Sequence, residues 1–145
     1  MASVTTKQLY SQWLEVWNGN LALAQEIIAP GFVIHQVGAA GPLDPAEFRG
    51  PTGLAKLVGM GRGPFADLRF TVEVGPIVDG AMMAARWTGR GTYRGGIPGA
   101  TAPAGTPISF GGNDLLRVEA GKLVEYWVSS DGLYLMAQLG VIPAS

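Results

Sequence analysis

The chain has 145 residues, 48% of them hydrophobic against 14% charged, with a net charge of -1, one histidine and no cysteine. That balance excludes a disordered polypeptide and a general nucleic-acid binder, and it leaves neither a disulfide framework, a thiol nucleophile nor a His-rich metal site. One domain spanning 1–145 with a substantial core is expected. 

The N-terminus, MASVTTKQLYSQW, lacks the basic region and long apolar run of a secretory signal. No segment approaches the roughly 20 apolar residues that cross a bilayer. The expectation is a cytoplasmic protein with no membrane partner. Thr5 and Gln8 have the spacing of a capping box, and Leu9, Tyr10, Trp13, Leu14, Val16 and Trp17 recur on one face of the helix it would start. Trp13 and Trp17 read as core that also lines one wall of a cavity. After Asn18-Gly19, Asn20 can cap a second helix over Leu21–Ile28, ended by Pro30-Gly31, so that the two helices form a hairpin.

Phe32–His35 is short and extended, and Asp44-Pro45-Ala46-Glu47 reads as a single helical turn. His35 is either a hydrogen-bonded structural residue near a strand end or a pocket group titrating near neutrality. A third helix runs from Thr52 to about Met60. In the strand that follows, Leu68, Phe70, Val72 and Val74 point one way and Arg69, Thr71 and Glu73 the other, the pattern of an antiparallel strand with one buried face.

Asp79-Gly80 signals a hairpin back into a strand over Ala81 to about Thr92. A two-residue turn there pairs Glu73 with Arg86 on the polar face. A three-residue turn with Gly80 in a bulge pairs Val72 with Arg86 and turns the guanidinium toward the core, where it would need an anionic partner. Both alternatives stand on the sequence. The Gly- and Pro-rich stretch from Gly89 to Pro107 has no Gly-Lys-Ser/Thr, which excludes a P-loop, and suits a pocket lid.

Ile108–Val118 is the penultimate strand. Ala120 resists positive φ, so the expected turn at Glu119-Ala120-Gly121 is type I with Gly121 in a left-handed bulge, pairing residues whose numbers sum to 240. One face then holds Phe110, Asp114, Leu116, Val118, Val124, Tyr126 and Val128. The other holds Ser109, Asn113, Arg117, Glu125 and Trp127. An acid on the first face would be partly desolvated, which raises its pKa and suits proton transfer near neutral pH.

The stretch KLVEYWVSSDGLYLMAQLG, residues 122–140, joins a β-rich strand through Asp131-Gly132 to an apolar-periodic helix that Asp131 can cap. Its pattern E-x-W-x-x-x-D (Glu125, Trp127, Asp131) with Gln138-Leu139-Gly140 resembles the C-terminal signature of SnoaL-like polyketide cyclases, within the superfamily named after nuclear transport factor two. Ala29–His35, Phe65–Glu73 and Arg86-Trp87 resemble the corresponding family segments. Gly91-Thr92-Tyr93-Arg94-Gly95 departs from the family's Gly-Thr-His-x-Gly, a change that counts against a proton role at that position because a phenol stays protonated at neutral pH.

The resemblance implies an α+β cone: N-terminal helices packed on a curved antiparallel or mixed sheet around a pocket. It implies cofactor-free closure of a polyketide-like, hydrophobic substrate and a homodimer through the outer sheet face. It also implies Asp131 as acid/base. With it, Asp114 and His35 are candidate proton partners, and Trp127, Tyr126, Arg86, Tyr93, Asn113 and Trp17 are candidate substrate contacts. An epoxide- or ester-opening hydrolase, an isomerase and a non-catalytic binder are the alternatives on this fold.

Overall fold

The computed structural model describes residues 5–38 and 41–144, so residues 1–4, the start of the stretch searched for a signal, lie outside it. Helix α1 (Thr6–Trp17) begins at the expected capping box, with the Thr5 hydroxyl accepting from the Gln8 amide and the Gln8 side chain accepting from the Thr5 amide. The second helix is shorter than its periodicity suggests. A 3-10 turn (Leu21–Leu23) leads into α2 (Ala24–Ile27), and the Asn20 side chain makes no cap hydrogen bond.

Pro30-Gly31 does not end that helix, because the chain is already extended in β1 (Ile28–His35). Strand β1 pairs in parallel with the C-terminal strand β7 (Lys122–Ser130), and its register shifts between Ile28 and Val33. The amide that Pro30 lacks therefore falls where the ladder is interrupted. A small ribbon follows, β2 (Val37–Gly38) with β3 (Gly41–Pro42). Helix α3 (Gly50–Arg62) is longer than expected, and Gly53 permits its start: a Cβ there would lie 2.1 Å from the Phe48 carbonyl carbon.

The long hairpin of β4 (Phe65–Asp79) and β5 (Met82–Tyr93) and the hairpin of β6 (Pro107–Glu119) and β7 complete a mixed five-stranded sheet ordered β1-β7-β6-β5-β4. The sheet is curled without closing. Along β5, Met83, Ala85 and Trp87 turn inward while Arg86 turns outward. The first hairpin takes neither expected register. Asp79 pairs with Met82, and irregularities at Val72–Val74 and Val74–Ile77 bring Val74 opposite Arg86. Leu68 and Phe70 are buried as expected; Val72 keeps their parity opposite Trp87 yet is exposed, and Val74 is exposed because the irregularity after Val72 sets it opposite the outward Arg86.

The β6–β7 turn also differs. Glu119 pairs with Lys122, and Ala120 takes φ 50 beside Gly121 at φ 76, the positive values of a two-residue hairpin turn. A bulge opposite Arg117–Val118 then shifts the register, so Leu116 faces Tyr126 and Asp114 faces Val128. Beyond the bulge the pairs sum to 242 rather than 240 and keep the same parity, so Asp114, Leu116, Tyr126 and Val128 share the expected face, whereas the two pairs next to the turn sum to 241 and Leu123 takes the inward place expected of Val124. Leu123 becomes fully buried.

Helix α4 (Gly132–Gln138) follows β7, and the Gly-rich loop docks onto its end. The Thr101 and Ala102 amides both donate to the Leu139 carbonyl at 3.0 Å. Helices α1 to α3 cover one end of the inner sheet face around Trp13, Phe32 and Leu54; α4 and the loop cover the other around Phe70, Trp87 and Leu139. No helix among the described residues is long and apolar enough to cross a membrane.

Candidate active site

Asp114 is the buried acid of this fold, 4% exposed on the inner face of β6. Four donors surround it. Tyr126 and Trp87 come from the flanking strands, diagonal to Asp114 because Leu116 faces Tyr126 and Gly112 faces Trp87. The Tyr126 hydroxyl donates to Oδ1 at 3.0 Å and the Trp87 indole N–H to the same oxygen at 2.9 Å. Tyr10 and Trp13, three apart on the buried face of α1, donate to Oδ2 at 2.9 and 3.1 Å.

Burial pushes the Asp114 carboxyl above its ordinary value, and the four hydrogen bonds pull partly against that shift. The same burial, with the adjacent carboxylate, pushes the Tyr10 and Tyr126 phenols up, so both stay protonated donors at neutral pH.

Asp114 and Tyr126 line a cavity of about 180 Å³. Its walls are apolar and aromatic, with Trp17, Phe65, Phe70, Trp87 and Phe110 prominent, and Asp114 is the carboxylate among its lining residues. The rings of Phe70, Trp87 and Phe110 meet edge to face at 5.2–6.1 Å, which holds the wall rigid. Trp17 closes one side as expected, its indole N–H buried without an acceptor.

The other expected site residues lie elsewhere. Asp131 follows a strand that stays regular through Ser130, with Gly112 opposite Ser130, so it keeps the outward parity of Trp127 and Ser129. Its side chain does not cap α4; it accepts from Arg86 at 3.1 Å. Arg86 is held on the outer face by Asp131, by Glu73 at 3.5 Å and by Asn113 at 3.5 Å, and so does not enter the cavity.

His35 stacks on Trp127 with centroids 5.0 Å apart, and its Nε2 meets Glu125 at 2.7 Å. That hydrogen bond holds Glu125 below its ordinary value, with help from Arg117. His35, Trp127 and Asn113 border a second depression, and Asp114, Gln36 and Val128 line both it and the aromatic cavity. Tyr93 is buried and its hydroxyl accepts the Ile97 amide, pinning the Gly-rich loop.

The structure thus brings Asp114, Tyr126 and Trp17 together around the aromatic cavity and leaves Asp131 and Arg86 outside it, while Asn113, His35 and Trp127 meet Asp114 only at the second depression. Tyr10, Trp13 and Trp87 were not read from the sequence as donors to an acid. A signal was present in the donor-only indoles on apolar faces, which need an acceptor when buried, while an acid on an apolar face needs donors.

The family profile for SnoaL-like polyketide cyclases matches residues 7–139, and the chain belongs to that family. Among solved structures, IdmH from Streptomyces antibioticus, described as a candidate polyketide cyclase, is 31% identical and covers 91% of this chain and 96% of its own, with a TM-score of 0.77. TsrD from Streptomyces laurentii is 26% identical, covers 98% of this chain and 99% of its own, and has a TM-score of 0.78. AclR from Streptomyces galilaeus, described as a candidate hydroxylase, is 24% identical over 96% of this chain and 83% of its own with a TM-score of 0.77, a likeness of fold alone. No curated protein matches the chain.

Proposed function

We propose that the chain is a cofactor-free cyclase of a polyketide-like intermediate, closing a ring by intramolecular aldol addition with Asp114 as acid/base. The supporting observation is that Asp114, the carboxylate lining an aromatic cavity, is hydrogen-bonded by Tyr126, which lines the same cavity. In the resting site each Asp114 oxygen already accepts two hydrogen bonds. Of the two donors at Oδ1, the indole N–H is fixed by its ring, whereas the phenolic O–H rotates about its C–O bond. Turning the Tyr126 hydroxyl toward a substrate carbonyl frees a lone pair on Oδ1 and supplies a donor to the developing enolate in one movement.

Asp114 then takes the acidic proton between two carbonyls, and the resulting enolate carbon attacks a second carbonyl held close by the cavity walls. The new alkoxide recovers the proton from Asp114. The product has the mass of the substrate. In this reading Asp131 and Arg86 brace the outer face, and that face, where Val74 (51%), Ile77 (63%) and Leu115 (40%) are exposed, serves a homodimer whose presence sedimentation would check.

The test compares metabolite masses from producing cells carrying the wild-type chain, Tyr126→Phe or Asp131→Asn. Tyr126→Phe should slow turnover about 100-fold or more and accumulate a precursor of equal mass, or heavier by one water if closure includes dehydration. Asp131→Asn should retain product. A precursor lighter by one water favours hydrolysis, an unchanged profile for Tyr126→Phe favours a binding protein, and loss only in Asp131→Asn moves the chemistry to that residue.

A further inference from the structure

Consecutive residues Arg86 and Trp87 reach across β6 on opposite faces of the sheet, and they do so over consecutive glycines. A Cβ on Gly112 would lie 2.2 Å from Cζ2 of Trp87, and one on Gly111 would lie 2.5 Å from a terminal nitrogen of Arg86. Neither glycine has a positive φ, so neither is required by the backbone. At Gly111 the contact is the free end of a flexible guanidinium that can shift aside, whereas Gly112 is required by the rigid indole crossing it. On the inner face that side chain carries an N–H to Asp114 Oδ1, two residues along the same strand.

We propose that Gly112 is a positioning residue for Asp114: by presenting no side chain it lets the Trp87 indole lie across β6, and through that indole's N–H it sets the proton affinity of the buried carboxyl. A donor to the charged form favours ionisation, so withdrawing it raises the pH at which Asp114 titrates. Burial already displaces that group upward, and the Trp87 N–H is one of four donors that pull against the displacement. The claim concerns the acid assigned above as the proton-transferring group, but it holds or fails without reference to any substrate.

The experiment uses the indole N–H resonances of 15N-labelled protein. Trp13 and Trp87 donate to opposite oxygens of Asp114, so in the wild type their peaks should shift with pH at one shared midpoint. In Gly112→Ala the Trp13 midpoint should rise by about one pH unit, the scale set by losing a hydrogen bond to a charged group. Trp87→Leu should give the same rise, and combining the two should add nothing, because both act through one bond. Gly111→Ala, which disturbs Arg86 on the other face, should leave the Trp13 midpoint in place.

The proposal is overturned by a wild-type midpoint retained in Gly112→Ala, by additive shifts in the double variant, or by wild-type Trp13 and Trp87 peaks that do not move together. Should Gly112→Ala not fold, Gly112→Ala/Trp87→Leu should recover folding, since the obstructing ring is gone; failure to recover it also overturns the proposal. Loss of the cyclase reading through the metabolite test would leave these outcomes unchanged.

Discussion

Each oxygen of Asp114 accepts one indole N–H, and an indole N–H cannot become an acceptor. In Asp114→Asn, either orientation of the amide therefore sets an NH2 against an indole N–H. The variant should lose about 1–3 kcal/mol of stability in urea unfolding, although it is nearly isosteric. Its pH dependence carries a second sign. Burial holds the folded Asp114 pKa above the unfolded carboxylate value of about 3.9, so between those two values the folded chain binds more protons than the unfolded one. Wild-type stability then falls as pH rises through that window and levels off above the folded pKa. The gap between wild type and Asp114→Asn should narrow over the same range. Asp114 was legible as an acid on an apolar face because the alternation of β6 places it there. The face of Asp131 was not legible, because it depends on whether β7 breaks at Ser129-Ser130, and two serines do not decide that; the pairing of Gly112 with Ser130 does.

At the level of elements, the capping box, the strand-to-helix passage at Asp131 and the inner face of β6 and β7 could be read from local chemistry. Registers could not, because a turn's preference competes with the packing of the strands it joins. Ala120 shows this competition: it adopts φ 50 despite its Cβ, and Leu123 is fully buried in the register that results. An alanine in the left-handed region costs about 1–2 kcal/mol. Ala120→Asn, restoring the Asn-Gly pair that such turns favour at an exposed position, should gain about 1 kcal/mol and raise the urea midpoint without changing its slope. No change in midpoint would mean that the strain is relieved elsewhere.

Across the whole molecule, the order of strands leaves β4 on one edge of the sheet with its outward backbone groups unpaired. Asn18, at the end of α1, fills part of that gap. Its side-chain amide accepts from the Phe70 N–H at 2.7 Å and donates to the Phe70 carbonyl at 3.1 Å, while Arg62 donates to the Leu68 carbonyl at 2.7 Å. A single amide thus gives Phe70 the pair of hydrogen bonds that a neighbouring strand would give. Further along, Pro76 offers no N–H to an incoming chain. Removing that amide is expected to unmask the sheet edge as well as to loosen the brace between helix and sheet. An unguarded edge beside exposed valines is a template for pairing with another molecule. Asn18→Ala should scatter light on warming at temperatures where the wild type stays clear, and the solubility of the folded chain would then depend on one carboxamide at the end of its first helix.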